Sequence, residues 1–222
     1  MSKTNQYQRI YHILNLHYGP QYWWPADSPF EVMIGAVLVQ NTAWKNTSIA
    51  IASLKKAGLM TPPAIHNTPI DYLASLIVSS GFFNIKARRL RALCEWLLEQ
   101  GDIDHLKRQP LESIRNDLLA IHGIGPETAD DILLYALDKP VFVIDAYTRR
   151  LFSRLGLVKH DAAYEKLQKG FEQALEKDVS LYNQYHALIV VHGKKVCTKK
   201  PLCRLCCLNE QCDKKGLADK SG

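Results

Sequence analysis

Four cysteines near the C-terminus are the densest chemistry in the chain. Cys197, Cys203, Cys206 and Cys212 are separated by five, two and five residues, and Cys207 adds a fifth thiol to the same stretch. The only other cysteine, Cys94, sits in the apolar helical run Arg91-Ala-Leu-Cys-Glu-Trp-Leu-Leu98 and reads as core. So tight a group points to metal binding rather than disulfides. Four thiolates can hold a [4Fe–4S] cluster or a structural zinc ion, and Cys207 can stand in for Cys206. Zinc ribbons ordinarily show two Cys-x2-Cys knuckles, and this loop has one. A second candidate is the turn Ile121-His-Gly-Ile-Gly-Pro-Glu-Thr-Ala129. Gly123 and Gly125 permit a tight turn with bare backbone, and Pro126 suits the first turn of a following helix. N–H groups presented at a helix start attract an anion, and a DNA phosphate can be held there by backbone alone. An ordinary helix–glycine–helix corner is the alternative.

Nineteen positions past Ile124 a helix-length segment ends at Val143-Ile-Asp145-Ala-Tyr-Thr-Arg-Arg150. This order of hairpin, helix, Val-x-Asp and Arg-bearing helix resembles the endonuclease III, or helix-hairpin-helix DNA glycosylase, superfamily. Val37-Leu-Val-Gln-Asn-Thr42, Gly81-Phe-Phe-Asn-Ile-Lys-Ala87 and His192-Gly-Lys-Lys-Val-Cys197 are similar to three further segments of that family, in the same order. The resemblance implies an all-α, two-lobed fold with a central cleft and a C-terminal iron–sulfur loop, acting on damaged bases in double-stranded DNA. It favours a [4Fe–4S] cluster over zinc on Cys197, Cys203, Cys206 and Cys212, although the family loop carries one residue more in its first gap.

The same resemblance makes Asp145 the catalytic carboxylate. Breaking a base–sugar bond builds positive charge on the sugar, which a fixed carboxylate stabilises while it orients water. Asp is also a favoured N-cap, so Asp145 can serve simply to start the helix at Ala146. The family's lyase members carry a Lys where this chain has Glu127, and a carboxylate cannot form a Schiff base. A monofunctional glycosylase follows, leaving an abasic site. Trp23-Trp-Pro-Ala26 and Gln40-Asn-Thr-Ala-Trp-Lys45 are similar to the 3-methyladenine glycosylase branch. An N-alkylated purine is a flat cation, which Trp24 and Trp44 can wall by stacking and cation–π attraction, with Glu127 adding favourable charge. Base eversion leaves a hole; Gln40 can fill it, Phe82 or Phe83 can wedge the opposite strand, and Asn84 and Lys86 can reach phosphate. The rival readings are a glycosylase for oxidised pyrimidines or mismatches, with or without lyase activity, and a DNA-structure-binding protein without catalysis.

These residues need elements to hold them. The chain has 222 residues, is 47% hydrophobic and 23% charged, and carries a net charge of +6. That balance suits a globular protein and permits a polyanionic partner. Basic residues gather at Lys86–Arg91, Arg149–Arg154 and Lys194–Arg204. No apolar stretch is long enough for a bilayer and no secretory signal is visible, so a cytoplasmic protein is expected; with DNA as partner, it is expected to be a monomer associated with the nucleoid. Helical spacing runs from Pro29 to Leu54 with Gly58 as a stop, then over 69–79, 86–99, 111–121, 126–137, 161–177 and 180–191. Val141–Ile144 reads as a buried extended entry into the Ala146 helix, because no other segment offers a partner strand. Two lobes are expected, 29–137 with the hairpin at 113–137, and 1–28 with 138–222. The polar tail 213–222 is expected to fray.

Overall fold

The computed structural model describes residues 3–217 and contains no β-strand among them. The chain divides into two compact units, Met1–Trp23 with Pro140–Gly222, and Trp24–Lys139.

The Trp24–Lys139 unit is built around the helix Pro29–Leu38, in which every residue from Phe30 onward is buried. A helix apolar on all sides must be wrapped by others. Here Trp44–Lys56, Phe83–Gln100, Pro126–Asp131 and the turn Ile132–Ala136 pack around it. Its start is fixed chemically. Ser28 Oγ accepts the Glu31 amide at 3.2 Å, and Pro29 occupies the first turn. The helical spacing from Pro29 to Leu54 is interrupted, however. The chain turns at 39–43, where Asn41 takes a left-handed conformation (φ 53°), and resumes as Trp44–Lys56. Periodicity misses this break because Val39 and Ala43 continue the apolar pattern across it. Two short helices, Pro62–Asn67 and Ile103–Arg108, lie outside the expected segments; each is six residues long, too brief for a periodic signal. The expected helix over 126–137 becomes π-helical at Ile132–Ala136, with the Leu137 amide donating to the Ile132 carbonyl at 3.1 Å.

The other unit centres on aromatic packing. Phe142 and Phe171 stack at 4.0 Å, and Tyr7, Phe152, Tyr182 and Tyr185 surround them. Val141–Ile144 is buried and extended, as its apolar run and lack of a partner strand required. Its backbone is satisfied by side chains instead. The Phe142 amide donates to Glu172 Oε1 at 3.1 Å, the Phe142 carbonyl accepts from Gln168 Nε2 at 2.8 Å, and the Ile144 amide donates to Tyr164 Oη at 3.3 Å. This braced segment delivers the chain to Asp145. The start of the tail is also held, since the Lys215 amide donates to the Arg154 carbonyl at 3.2 Å; residues 218–222 lie outside the described residues.

Candidate active site

Asp145 stands at the N-cap of the helix Ala146–Arg154. Its Oδ1 accepts the Thr148 amide at 2.7 Å, and the side chain is almost buried, the residue being 9% exposed. Its Oδ2 lies 3.7 Å from Nε2 of the buried His186. Burial pushes the carboxyl pKa up, but the His186 imidazole and the Thr148 bond outweigh it, so Asp145 lies below the usual carboxylate range. The capping role and a catalytic role are therefore compatible, because the cap uses one oxygen and fixes the other. Beside it, Tyr147 packs on Gly193 so closely that a Cβ there would sit 2.6 Å from the ring. The Lys194 ammonium lies over the rings of Trp23 and Tyr147, 5.6 and 5.9 Å from their centroids; burial lowers its pKa, and the Asp145 charge opposes that shift in part. His186 was legible only as a lone polar residue in the apolar run Tyr185-His-Ala-Leu-Ile-Val-Val191.

The rest of this helix grips the cysteine loop. Arg150 donates to the carbonyls of Cys197 and Gly193 at 2.7 and 2.9 Å, and Arg154 to the Thr198 carbonyl at 2.6 Å and Cys197 Sγ at 3.3 Å. Arg149 donates to the Ala162 carbonyl at 2.6 Å. The three arginines of this cluster thus donate to carbonyls and to a sulfur within their own unit, while Lys199, Lys200 and Arg204 are the exposed cations of the loop. Cys197, Cys203, Cys206 and Cys212 line one small cavity closed by Leu151, Leu155 and Leu208, and Cys207 is not among its walls. Among the described residues no three His, Cys, Asp or Glu side chains converge tightly enough to hold a single metal ion.

The Trp24–Lys139 unit brings several other expected residues together. Gly123, with φ +86°, makes the hairpin turn, and a Cβ there would lie 2.3 Å from Arg89 Nε, so glycine is required twice over. Gly125 is exposed at the N-cap of Pro126–Asp131, and Glu127 is exposed in its first turn. Trp24 and Trp44 are half-buried and meet edge to face at 5.3 Å, with Tyr135 from the π-helical turn 5.4 Å from Trp24. Gly35 makes room, since a Cβ there would sit 3.2 Å from Trp24 Nε1. Tyr135 was not singled out from the sequence, because its facing depends on the irregular turn. Phe82 is 66% exposed with a left-handed backbone (φ 46°), and Asn84 is exposed close to it.

Two expectations are corrected here. Lys86 does not reach outward to phosphate; it is 1% exposed, and its ammonium donates to the carbonyls of Leu38 and Ser80 at 2.7 Å each and to Thr42 Oγ1 at 3.2 Å. Burial, with Arg89 adding a little, lowers its pKa to about 8. Gln40 does not offer a free amide to an orphan base. Its Nε2 donates to the Gly123 carbonyl at 3.1 Å and Thr128 Oγ1 at 2.8 Å, while its Oε1 accepts from Arg89. Gln40 buttresses the hairpin, and Lys86 ties the Gln40 turn to the Phe82 loop.

Residues 34–177 match the model of the HhH-GPD superfamily of base excision DNA repair proteins. A Methanocaldococcus jannaschii protein named as a DNA repair glycosylase is 45% identical over 95% of this chain and 98% of its own length. Endonuclease III of Sulfolobus acidocaldarius is 31% identical over 82% of this chain and 81% of its own. Among solved structures, the 3-methyladenine DNA glycosylase MagIII of H. pylori, bound to 1,N6-ethenoadenine, superposes with a TM-score of 0.77 at 28% identity, covering 88% of this chain and 98% of that one. An endonuclease III–DNA covalent complex at 22% identity shares the fold with a TM-score of 0.82, covering 96% and 97%. The chain belongs to the HhH-GPD superfamily and is a helix-hairpin-helix DNA glycosylase of base excision repair.

Proposed function

We propose that the chain is a monofunctional glycosylase that releases alkylated, 3-methyladenine-like bases from double-stranded DNA using water. The observation that carries the substrate class is the Trp24–Trp44 pair with Tyr135 beside it. Three aromatic rings offer faces and edges to a flat cationic base, whose glycosidic bond is already weakened by alkylation. Such a substrate needs little more than a carboxylate. As the bond between C1′ and the base nitrogen breaks, its electron pair leaves with the base and neutralises the alkyl cation. Asp145 stabilises the positive sugar and takes a proton from the water that adds to C1′. Glu127 supplies no amine, so the product is an intact strand with an abasic site. The hairpin at Gly123 and Gly125, with Asn84, binds phosphate, and Phe82 wedges the strand opposite the everted base. The likeness to MagIII supports this substrate class.

Cys197, Cys203, Cys206 and Cys212 are proposed to hold a [4Fe–4S] cluster. The small cavity that all four thiols line, and the likeness of the segment to the family's cluster loop, support this reading over zinc. When bound, the cluster would brace the loop that Arg150 and Arg154 attach to the Asp145 helix.

A second reading, endonuclease III-like action on oxidised pyrimidines, is favoured by relatives of that name. Release assays separate the two. On this proposal 3-methyladenine and 7-methylguanine leave methylated DNA, while duplexes carrying oxidised pyrimidines or a mismatched thymine are left unprocessed. The reverse pattern establishes the second reading.

A further inference from the structure

His192 touches the cysteine loop in two ways. Its carbonyl accepts the amides of Val196 and Cys197, each at 2.9 Å, so the backbone entering the loop hangs from it. Its fully buried ring bridges two side chains, with Nδ1 2.9 Å from the Tyr18 hydroxyl and Nε2 3.4 Å from Cys206 Sγ. Tyr18 is the last residue of the helix Lys3–Tyr18 and packs edge-on against the imidazole, 5.9 Å between ring centroids. The three residues thus form one chain of contacts from the first helix to one of the cavity-lining cysteines.

Chemistry fixes the direction of these contacts once Cys206 binds iron. A ligating cysteine is a thiolate, and a thiolate sulfur only accepts hydrogen bonds. The nitrogen facing it must then carry the proton. A neutral imidazole has a single N–H, so Nδ1 is left with its lone pair, and the tyrosine hydroxyl is the donor that fills it. We infer that His192 donates Nε2–H to the Cys206 thiolate and that Tyr18 holds it in that tautomer, so the pair sets the reduction potential of the cluster and links the first helix to the loop. The inference rests on the proposed cluster. A hydrogen bond to a ligand sulfur stabilises the more negative, reduced cluster and raises its potential, and this one is shielded from competing water by burial. His192 and Tyr18 are positioning residues here, acting through Cys206.

The test uses the full chain purified without oxygen, with iron and sulfide content, visible absorption and reduction potential measured for wild type, Tyr18→Phe and His192→Phe. Tyr18→Phe keeps the ring and removes only the hydroxyl. The expected result is full iron loading in Tyr18→Phe with a potential shifted negative. His192→Phe is expected to shift further and to lose an exchangeable proton coupled to the cluster in electron–nuclear double resonance. If both variants load iron at the wild-type potential, or if that proton persists in His192→Phe, the inference is overturned. Should His192→Phe fail to fold or load, an unchanged potential in Tyr18→Phe overturns it alone. Wild-type protein that binds zinc or no metal under these conditions defeats the cluster reading itself, a separate and recognisable outcome.

Discussion

Nε2 of His186 stands 3.7 Å from Oδ2 of Asp145, on the side of the carboxylate that the helix cap leaves unused. The two oxygens of Asp145 thereby have separate duties. Oδ1 is bound to the Thr148 amide and fixes the side chain, and Oδ2 remains ionised beside an imidazole. A carboxylate that must face a developing positive charge needs both properties.

On the proposed function, Glu127 in place of a lysine leaves the DNA strand intact. Incubation of the protein with duplex containing an abasic site or a methylated base, in the presence of borohydride, is expected to give no covalent adduct, because no amine occupies the position from which lyase members attack. Denaturing electrophoresis checks this. An adduct would show that another lysine serves as nucleophile.

Cys206 and Cys207 are adjacent, yet only Cys206 lines the cavity shared by Cys197, Cys203 and Cys212. Replacing Cys206 with Ser is expected to cost most of the bound iron and the broad visible absorption, while Cys207→Ser retains both. Metal analysis and absorption spectra of the two variants distinguish them, and equal loss would mean that the adjacent thiols share the role.

Lys86→Met should destabilise the fold by about 2–3 kcal/mol, because it strands the buried carbonyls of Leu38 and Ser80. The effect carries a pH signature. The folded pKa of about 8 lies below the usual 10.5, so between those values the unfolded chain binds more protons than the folded one. Stability contributed by this lysine therefore rises with pH across that window. Urea midpoints of wild type and variant should draw apart from pH 8 to pH 10; a constant gap would mean that the ammonium is not titrated by folding.

Much of this organisation is legible in the sequence, and the remainder is hidden for identifiable reasons. The extended entry at Val141–Ile144 follows from an apolar run with no partner strand, and the hairpin follows from Gly123, Gly125 and Pro126. The destination of the positive charge does not follow. Lys86, Arg89, Arg149, Arg150 and Arg154 look like a polyanion-binding surface in the sequence, but they donate to carbonyls, to Gln40 and to Cys197 inside their own units. A basic side chain gives the same one-letter signal whether its partner is a DNA phosphate or a buried carbonyl. Tyr135 and His186 were missed because each is placed by tertiary geometry, one through a π-helical turn and the other through the packing of the Val179–Lys195 helix against the Asp145 helix.

The central claim is that the ionised carboxylate of Asp145 drives base release. Asn can cap a helix about as well as Asp, so Asp145→Asn should fold and bind DNA like wild type. Single-turnover release of 3-methyladenine from methylated duplex by this variant is expected to fall by roughly two to three orders of magnitude. Release within a few-fold of wild type, from protein shown to be folded and DNA-bound, would contradict the account.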